Sequence, residues 1–153
     1  MTDLTGSATS IITTTVAASA TVTPYNLEAD NMARTAVTYS SLVANSNLAD
    51  PAGTALDATN DHTIASSEPE RTLLRVTNTH SADHAITVKA GSYPPAIAAG
   101  LGDLSVTVAA TSGVQWLGPF ESGRFLQSDG SLHIDVPTGM TGTITAFLVP
   151  AAC

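Results

Sequence analysis

Two neighbouring stretches, RTLLRVTNT (71–79) and HAITVKAG (84–91), decide how this chain folds. In the first, Leu74 and Val76 fall on one face of an extended chain, while Arg75 and Thr77 share the other, which Leu73 extends. Successive side chains of a strand point to opposite faces, so the pattern describes a strand with one buried face. In the second, Ile86 and Val88 alternate with Thr87 and Lys89. The intervening NTHSAD is turn-forming, and the pair reads as a hairpin with a several-residue loop.

The same alternation continues toward the C-terminus. LSVTVAA (104–110) directs Leu104, Val106 and Val108 inward, and VQWLGPF (114–120) follows the turn TSG. RFLQ (124–127) reads as a short strand and SDG as a turn. SLHIDVP (131–137) then sets Leu132, Ile134 and Val136 against Ser131, His133 and Asp135, so that one face is buried and the other wet. TITAFLV (143–149) puts Ile144, Ala146 and Leu148 on one side before Pro150 ends it. SYPPAIAAGLGD (92–103) is a loop, because Pro94 and Pro95 cannot donate to a central ladder. About seven short strands at spacings near ten residues, with turn signals between them, predict an all-β domain, an antiparallel β-sandwich or jelly-roll-like fold. There is no βαβ alternation and no internal repeat.

Toward the N-terminus the pattern weakens. DPAGTALDATNDH (50–62) is dense in turn formers and predicts a surface loop leading to a short strand near Thr63 and Ile64. From Pro24 to about Asp50 the expected order is a short helix or turn around Leu27 to Ala36, then a strand from Ala36 to Val43. Asn26 would cap that turn, with Glu28 in its first turn. Residues 1–23 are rich in Thr, Ser and Ala and lack the spaced large apolar residues of a core. They read either as an extended arm that orders against a partner or as an edge strand from Ile11 to Val16. The division is therefore an N-terminal arm, 1–23, and a β-sandwich domain, 24–153.

Composition bounds the function. The 153 residues suffice for one soluble domain with its own core. Thirteen acids against five Lys and Arg give a net charge of −8, which disfavours nucleic acid as a partner. No run of about 18 apolar residues occurs, so no membrane-spanning helix and no membrane partner are predicted. The N-terminal MTDLTGSATS opens on an acid rather than a basic region, and the expectation is an unprocessed chain made in a cytoplasm. Cys153, the single cysteine, has no partner within the chain for a disulfide or a thiolate cluster.

Candidate chemistry is sparse. His80, Asp83 and His84 supply metal-ligand types, but their spacing straddles a turn where the side chains need not converge. Asp129, Ser131, His133 and Asp135 hold the residue types of a hydrolytic triad. Same-face neighbours on a strand lie about 6–7 Å apart, too far for a nucleophile–base hydrogen bond, and the strained serine turn of hydrolases is missing. Asp57, Asp61, Glu68 and Glu70 lack the spaced pattern of a calcium loop and read as a solvated acidic loop. Gly100 and Gly102 have no following lysine to make a phosphate cradle and read as a turn. The reading is no catalytic residue, no metal and no cofactor. The lone tryptophan, Trp116, is expected with Phe120 and Phe125 in the core or a subunit contact rather than as a sugar platform. Tyr93, beside Pro94 and Pro95, is a rigid-loop contact candidate.

The stretch RTLLRVTNTHSADHAITVKAGSYPPAIAAGLGDLSVTVAATSGVQWLGPFESGRFLQSDGSLHIDV resembles a recurring pattern of small tailed-bacteriophage proteins. Its features are a strand ending in a VxN turn, an ITVKAG strand, a PPA…GLGDL loop, a GPFES(G/A)RF turn and an aromatic-poor final pair of strands. Over residues 71 to about 149 the chain is similar to capsid decoration, or cement, proteins. That resemblance implies a structural protein on the outer capsid surface of a virion, a homotrimer at local threefold positions, with the major capsid protein as partner. It also implies contact residues: Ile11, Ile12 and Val16 in the arm, Tyr93, Pro94 and Pro95 in the PPA loop, and Phe120, Glu121 and Arg124 in the GPFES turn, where Arg124 and Glu121 would support an intersubunit ion pair. The alternative within phage is a tail or head-fibre accessory module that binds a receptor.

Overall fold

In the computed structural model, residues 34–92 and 100–151 are described. They build an all-β sandwich from ten strands, a 3-10 turn and an α-helical turn: β1 (Thr35–Ala36), β2 (Tyr39–Ser41), β3 (Thr54–Ala55), β4 (His62–Ile64), the 3-10 turn (Pro69–Arg71), β5 (Thr72–Asn78), β6 (His84–Val88), β7 (Leu104–Val108), β8 (Gly113–Leu117), α1 (Ser122–Phe125), β9 (Leu132–Asp135) and β10 (Thr143–Leu148). One sheet has the order β1-β4-β9-β6-β7 and the other β2-β10-β5-β8, with β3 also paired to β10. Pairing is antiparallel except for β1 with β4 and β10 with β2, so both sheets are mixed at one edge.

The core lies between the sheets, where alternation predicts it. Leu74, Val76, Ile86, Val88, Val108, Leu132, Ile134 and Ile144 have no appreciable exposure. β5 alternates buried and half-buried residues along its whole length, the signature of a strand with one face on the core.

Partnership differs from the sequence expectation. β5 and β6 do not form a hairpin: β5 pairs with β8 and β10, while β6 pairs with β7 and β9 in the opposite sheet. Asn78 makes this crossing. Its fully buried side chain donates from Nδ2 to the carbonyls of Ala82 (2.9 Å) and Val108 (3.1 Å), and its Oδ1 accepts from the N–H of His80 (2.9 Å). The amide thus satisfies backbone groups that a hairpin ladder would otherwise pair. The β7–β8 turn crosses back between the sheets, so consecutive strands face each other across the core.

Three other expectations change. RFLQ is not a strand, because residues 122–125 form α1. The N–H groups of Arg124 and Phe125 both bond the Glu121 carbonyl at 3.0 Å, and the Gln127 amide is spent on Ala90 O. The single strand expected from Ala36 to Val43 is split at Val37, whose buried side chain lies where the chain passes from β1 in one sheet to β2 in the other. Of the helix expected around Leu27 to Ala36, Thr35–Ala36 is strand and the part before Arg34 lies outside the described residues. β10 is buried on both faces from Ile144 to Phe147. Segment 51–54 covers Thr145, and Gly53 (φ +79°) approaches so closely that a Cβ there would sit 2.6 Å from the Thr145 hydroxyl.

Candidate binding surface

Ser131 and His133 come together, contrary to the distance argued from strand geometry. Ser131 Oγ lies 3.0 Å from His133 Nε2 and 2.6 Å from Asp129 Oδ1. Ser131 precedes β9 and is not in regular extended backbone: its N–H is folded back onto Asp129 Oδ1 at 3.0 Å. The proton inventory decides the chemistry. A serine hydroxyl has one proton, and the shorter, charge-assisted bond takes it to Asp129. His133 Nε2 must then carry its own hydrogen and donate to Oγ. Burial, followed by the Arg34 charge, lowers the imidazole pKa, and donation by Ser131 holds Asp129 below the usual carboxylate range. The carboxylate therefore grips the serine rather than orienting the histidine, the reverse of a triad. Asp135 is engaged by Arg34 (2.9 Å) and Lys89 (3.7 Å). With Ser131 only 4% exposed, the cluster ties down the entry to β9.

His80 and His84 also converge across the arch, with His84 Nε2 at 2.9 Å from His80 Nδ1 and ring centroids 4.8 Å apart. The Ala82 N–H points at the same Nδ1 (3.2 Å), so that nitrogen is an acceptor for two donors. Asp83 turns away to accept from Ala110 N at 2.8 Å. Among the described residues no three His, Cys, Asp or Glu side chains gather to hold a metal ion.

The acidic loop residues are individually engaged. Asp57 accepts from the Thr35 hydroxyl (2.7 Å), the Thr59 N–H, and both the N–H and the amide of Asn60, which hold its pKa far below the usual range. Asp61 accepts from Val136 N at 2.7 Å, Glu68 pairs with Arg71, and Glu70 holds Ser122 at the start of α1.

In the GPFES turn, Phe120 is at 3% exposure, edge-on to Phe125 with centroids 5.6 Å apart, so of its two expected places, core or contact surface, it takes the core. Glu121 is exposed. Arg124 lies over the Phe125 ring and donates to the carbonyls of Gly102 (3.0 Å) and Asp103 (3.4 Å), securing the loop before β7. Ile11, Ile12, Val16, Tyr93, Pro94, Pro95 and Cys153 lie outside the described residues.

The outward residues of β8 form the most exposed apolar feature on any described strand. Trp116 is 58% exposed and Val114 44%, so of the two places expected for Trp116, the core or a subunit contact, the core is ruled out. Trp116 stacks on Phe147 (centroids 5.5 Å) and sits directly opposite Arg75, which is paired with Asp50 at 3.3 Å. The signal was present in GVQWL: burying Leu117 forces Trp116 outward. A cavity of about 270 Å³ opens between β2, β10 and residues 51–54, with the buried Thr145 hydroxyl unpaired on its wall.

No helix among the described residues is long and apolar enough to cross a membrane. Comparison with protein-family models, curated proteins and solved structures finds no match for the chain.

Proposed function

We propose that this chain is a structural decoration protein of a tailed-bacteriophage head, which binds outside the assembled shell as a trimer at local threefold positions and stabilises it. The observation that carries the reading is the motif series over residues 71–149, from the VxN turn to the GPFESGRF turn. The structure lends that series physical sense. Its asparagine, Asn78, bridges the two sheets, and its GLGDL and GRF segments are joined through Arg124, Gly102 and Asp103. The polar clusters of the body bond among their own side chains and backbone, and Val114 and Trp116 are left exposed on β8.

Such a protein works by contact area. Binding at a symmetry axis multiplies weak contacts, so occupancy is high even where each chain's interface is modest. The free energy of binding raises the cost of separating capsomers, with no covalent step. The arm, residues 1–23, is the clasping element in this proposal.

Quantitative mass spectrometry of purified virions tests it. A copy number near that of the major shell protein, or one trimer per threefold position, is the expected result. Deleting residues 1–23 should abolish or weaken shell binding while circular dichroism of the sandwich is unchanged; full binding without them sinks the arm's role. The second reading, a tail or head-fibre receptor-binding module, draws on the exposed Trp116 beside Arg75 and Asp50, a stacking ring next to polar groups. It predicts few copies per particle and a measurable affinity for cell-surface glycan.

A further inference from the structure

Resting on the second reading above for its exposed ring, we infer that the outer face of β10, β5 and β8 binds a neutral oligosaccharide, one sugar unit in the cavity beside Thr145 and another on Trp116. Thr145, Arg75 and Trp116 stand directly opposite one another on these three adjacent strands. Opposite residues share a face, and neighbouring strands lie about 4.8 Å apart, so the row from Thr145 to Trp116 spans about 10 Å. Arg75, with Asp50 paired to it at 3.3 Å, lies between the two ends.

The cavity selects the chemistry of its ligand. Its polar lining residues are Thr38, Ser40, Thr54 and Thr145, all hydroxyl-bearing, and no charged residue lines it. Hydroxyls donate and accept, as the hydroxyls of a sugar do. A charged ligand would find no counter-charge there, and the excess of acids over the whole chain repels anionic glycans, so the ligand is neutral. Thr145 supplies a separate observation. It is 3% exposed, and no protein group bonds its hydroxyl, an arrangement that costs stability in the empty fold and is relieved by a ligand that bonds it. A volume of about 270 Å³ admits one sugar ring rather than a polymer segment.

The rest of the row fits the same ligand. Trp116 offers an aromatic face for the C–H face of a sugar, and Phe147 stacks behind it to fix the ring. The guanidinium of Arg75 supplies donors and the carboxylate of Asp50 acceptors, a pair that matches adjacent sugar hydroxyls. One ring alone is a weak platform, which is why the scarcity of aromatics disfavours sugar in the sequence; the cavity supplies the second hold. A protein partner fits less well. On these three strands the exposed large apolar side chains are Val114 and Trp116, far short of the apolar centre of an interface that buries about 800 Å² on each partner.

Trp116 is the chain's single tryptophan and therefore its own reporter. The full chain, with no shell protein present, is screened against an array of neutral oligosaccharides ending in glucose, galactose, mannose or N-acetylglucosamine, with sialylated and sulfated counterparts. Hits are titrated by tryptophan emission. Copy number per virion tests where the chain sits in the particle, so failure here is distinct from failure of either reading of function. The expected result is binding of a neutral glycan with a shift in Trp116 emission, and weaker binding of its anionic counterparts. Trp116→Ala, followed by calorimetry, should lower the affinity about tenfold or more. Thr145→Val should lower it about threefold to tenfold while keeping or raising the urea midpoint, because the hydroxyl it removes has no protein partner. An array without a neutral hit overturns the inference. So does a hit whose affinity both variants retain, because another surface would then hold it, and so does preference for the anionic glycans. A lower urea midpoint for Thr145→Val overturns the cavity's part, because the hydroxyl would then serve the fold. Burial of Trp116 only on addition of shell particles, with no glycan bound, likewise overturns the inference and gives the ring to the capsid.

Discussion

Replacing Asn78 tests the architecture at the point where the two sheets are tied. Asn78→Ala removes three hydrogen bonds, to Ala82 O, Val108 O and His80 N. The Val108 bond is fully buried, so its carbonyl is orphaned at a cost of about 2 kcal/mol. The other two groups lie in the half-buried arch, where water replaces the amide and the loss is about 0.5 kcal/mol each. The sum is about 3 kcal/mol, a large fraction of the total stability of a domain this size. Urea denaturation should show the midpoint falling with an unchanged slope, since the surface exposed on unfolding is the same. Asn78→Asp sharpens the test. The variant keeps the shape but aims a carboxylate at two carbonyl oxygens, which favours its protonated form in the fold and raises its folded pKa. A raised folded pKa means the deficit relative to wild type is smallest below the unfolded carboxyl pKa of about 3.9 and grows as pH rises through the folded value. A loss under about 1 kcal/mol for Asn78→Ala, or a pH-independent deficit for Asn78→Asp, refutes the assignment of this amide as the inter-sheet tie.

Two further outcomes are expected. His62 is fully buried, with Nε2 accepting from Asp57 N (3.1 Å) and Nδ1 donating to Thr35 O (3.3 Å), and burial depresses its pKa below the ordinary 6.5, as it does for His133. A depressed folded pKa gives stability that is complete above about 6.5 and is lost as pH falls toward the folded value, so denaturation midpoints should decline below that pH and His62→Gln should flatten the decline; an unchanged profile in the variant would falsify the assignment. Ser131 should resist a fluorophosphonate probe, because its proton belongs to Asp129 and its neighbour His133 is a donor; labelling at Ser131, detected by peptide mass spectrometry, would overturn that proton inventory.

Much of this molecule is legible in its sequence because strand alternation is local. The pleat imposes a period of two, so Leu74 and Val76, Ile86 and Val88, and Leu132 and Ile134 had to share buried faces in any fold that keeps those strands. Which strand lies beside which is a different matter. RVTNTHSADHAI gives the same alternation whether its two strands pair or face each other across a core, and three bonds from one amide select the second arrangement. The candidate sites divide the same way. The residue types at Ser131, His133, His80 and His84 are visible in sequence, but their convergence depends on where the strand begins and how the arch closes. Direction of proton donation follows only once Asp129 is seen on the serine. Trp116 and Phe147 sit 31 residues apart on strands separated by β5, so their stacking on the outer face exists only after β5 has brought β8 and β10 into one sheet. The sequence by itself determined the all-β class, the buried faces and the acidic, low-charge surface, since these follow from backbone period and composition. Tertiary structure alone decided the sheet crossings, the buried outer face of β10 and the place of β7 and β8 at the sheet edges among the described residues, because those depend on contacts between residues distant in the chain.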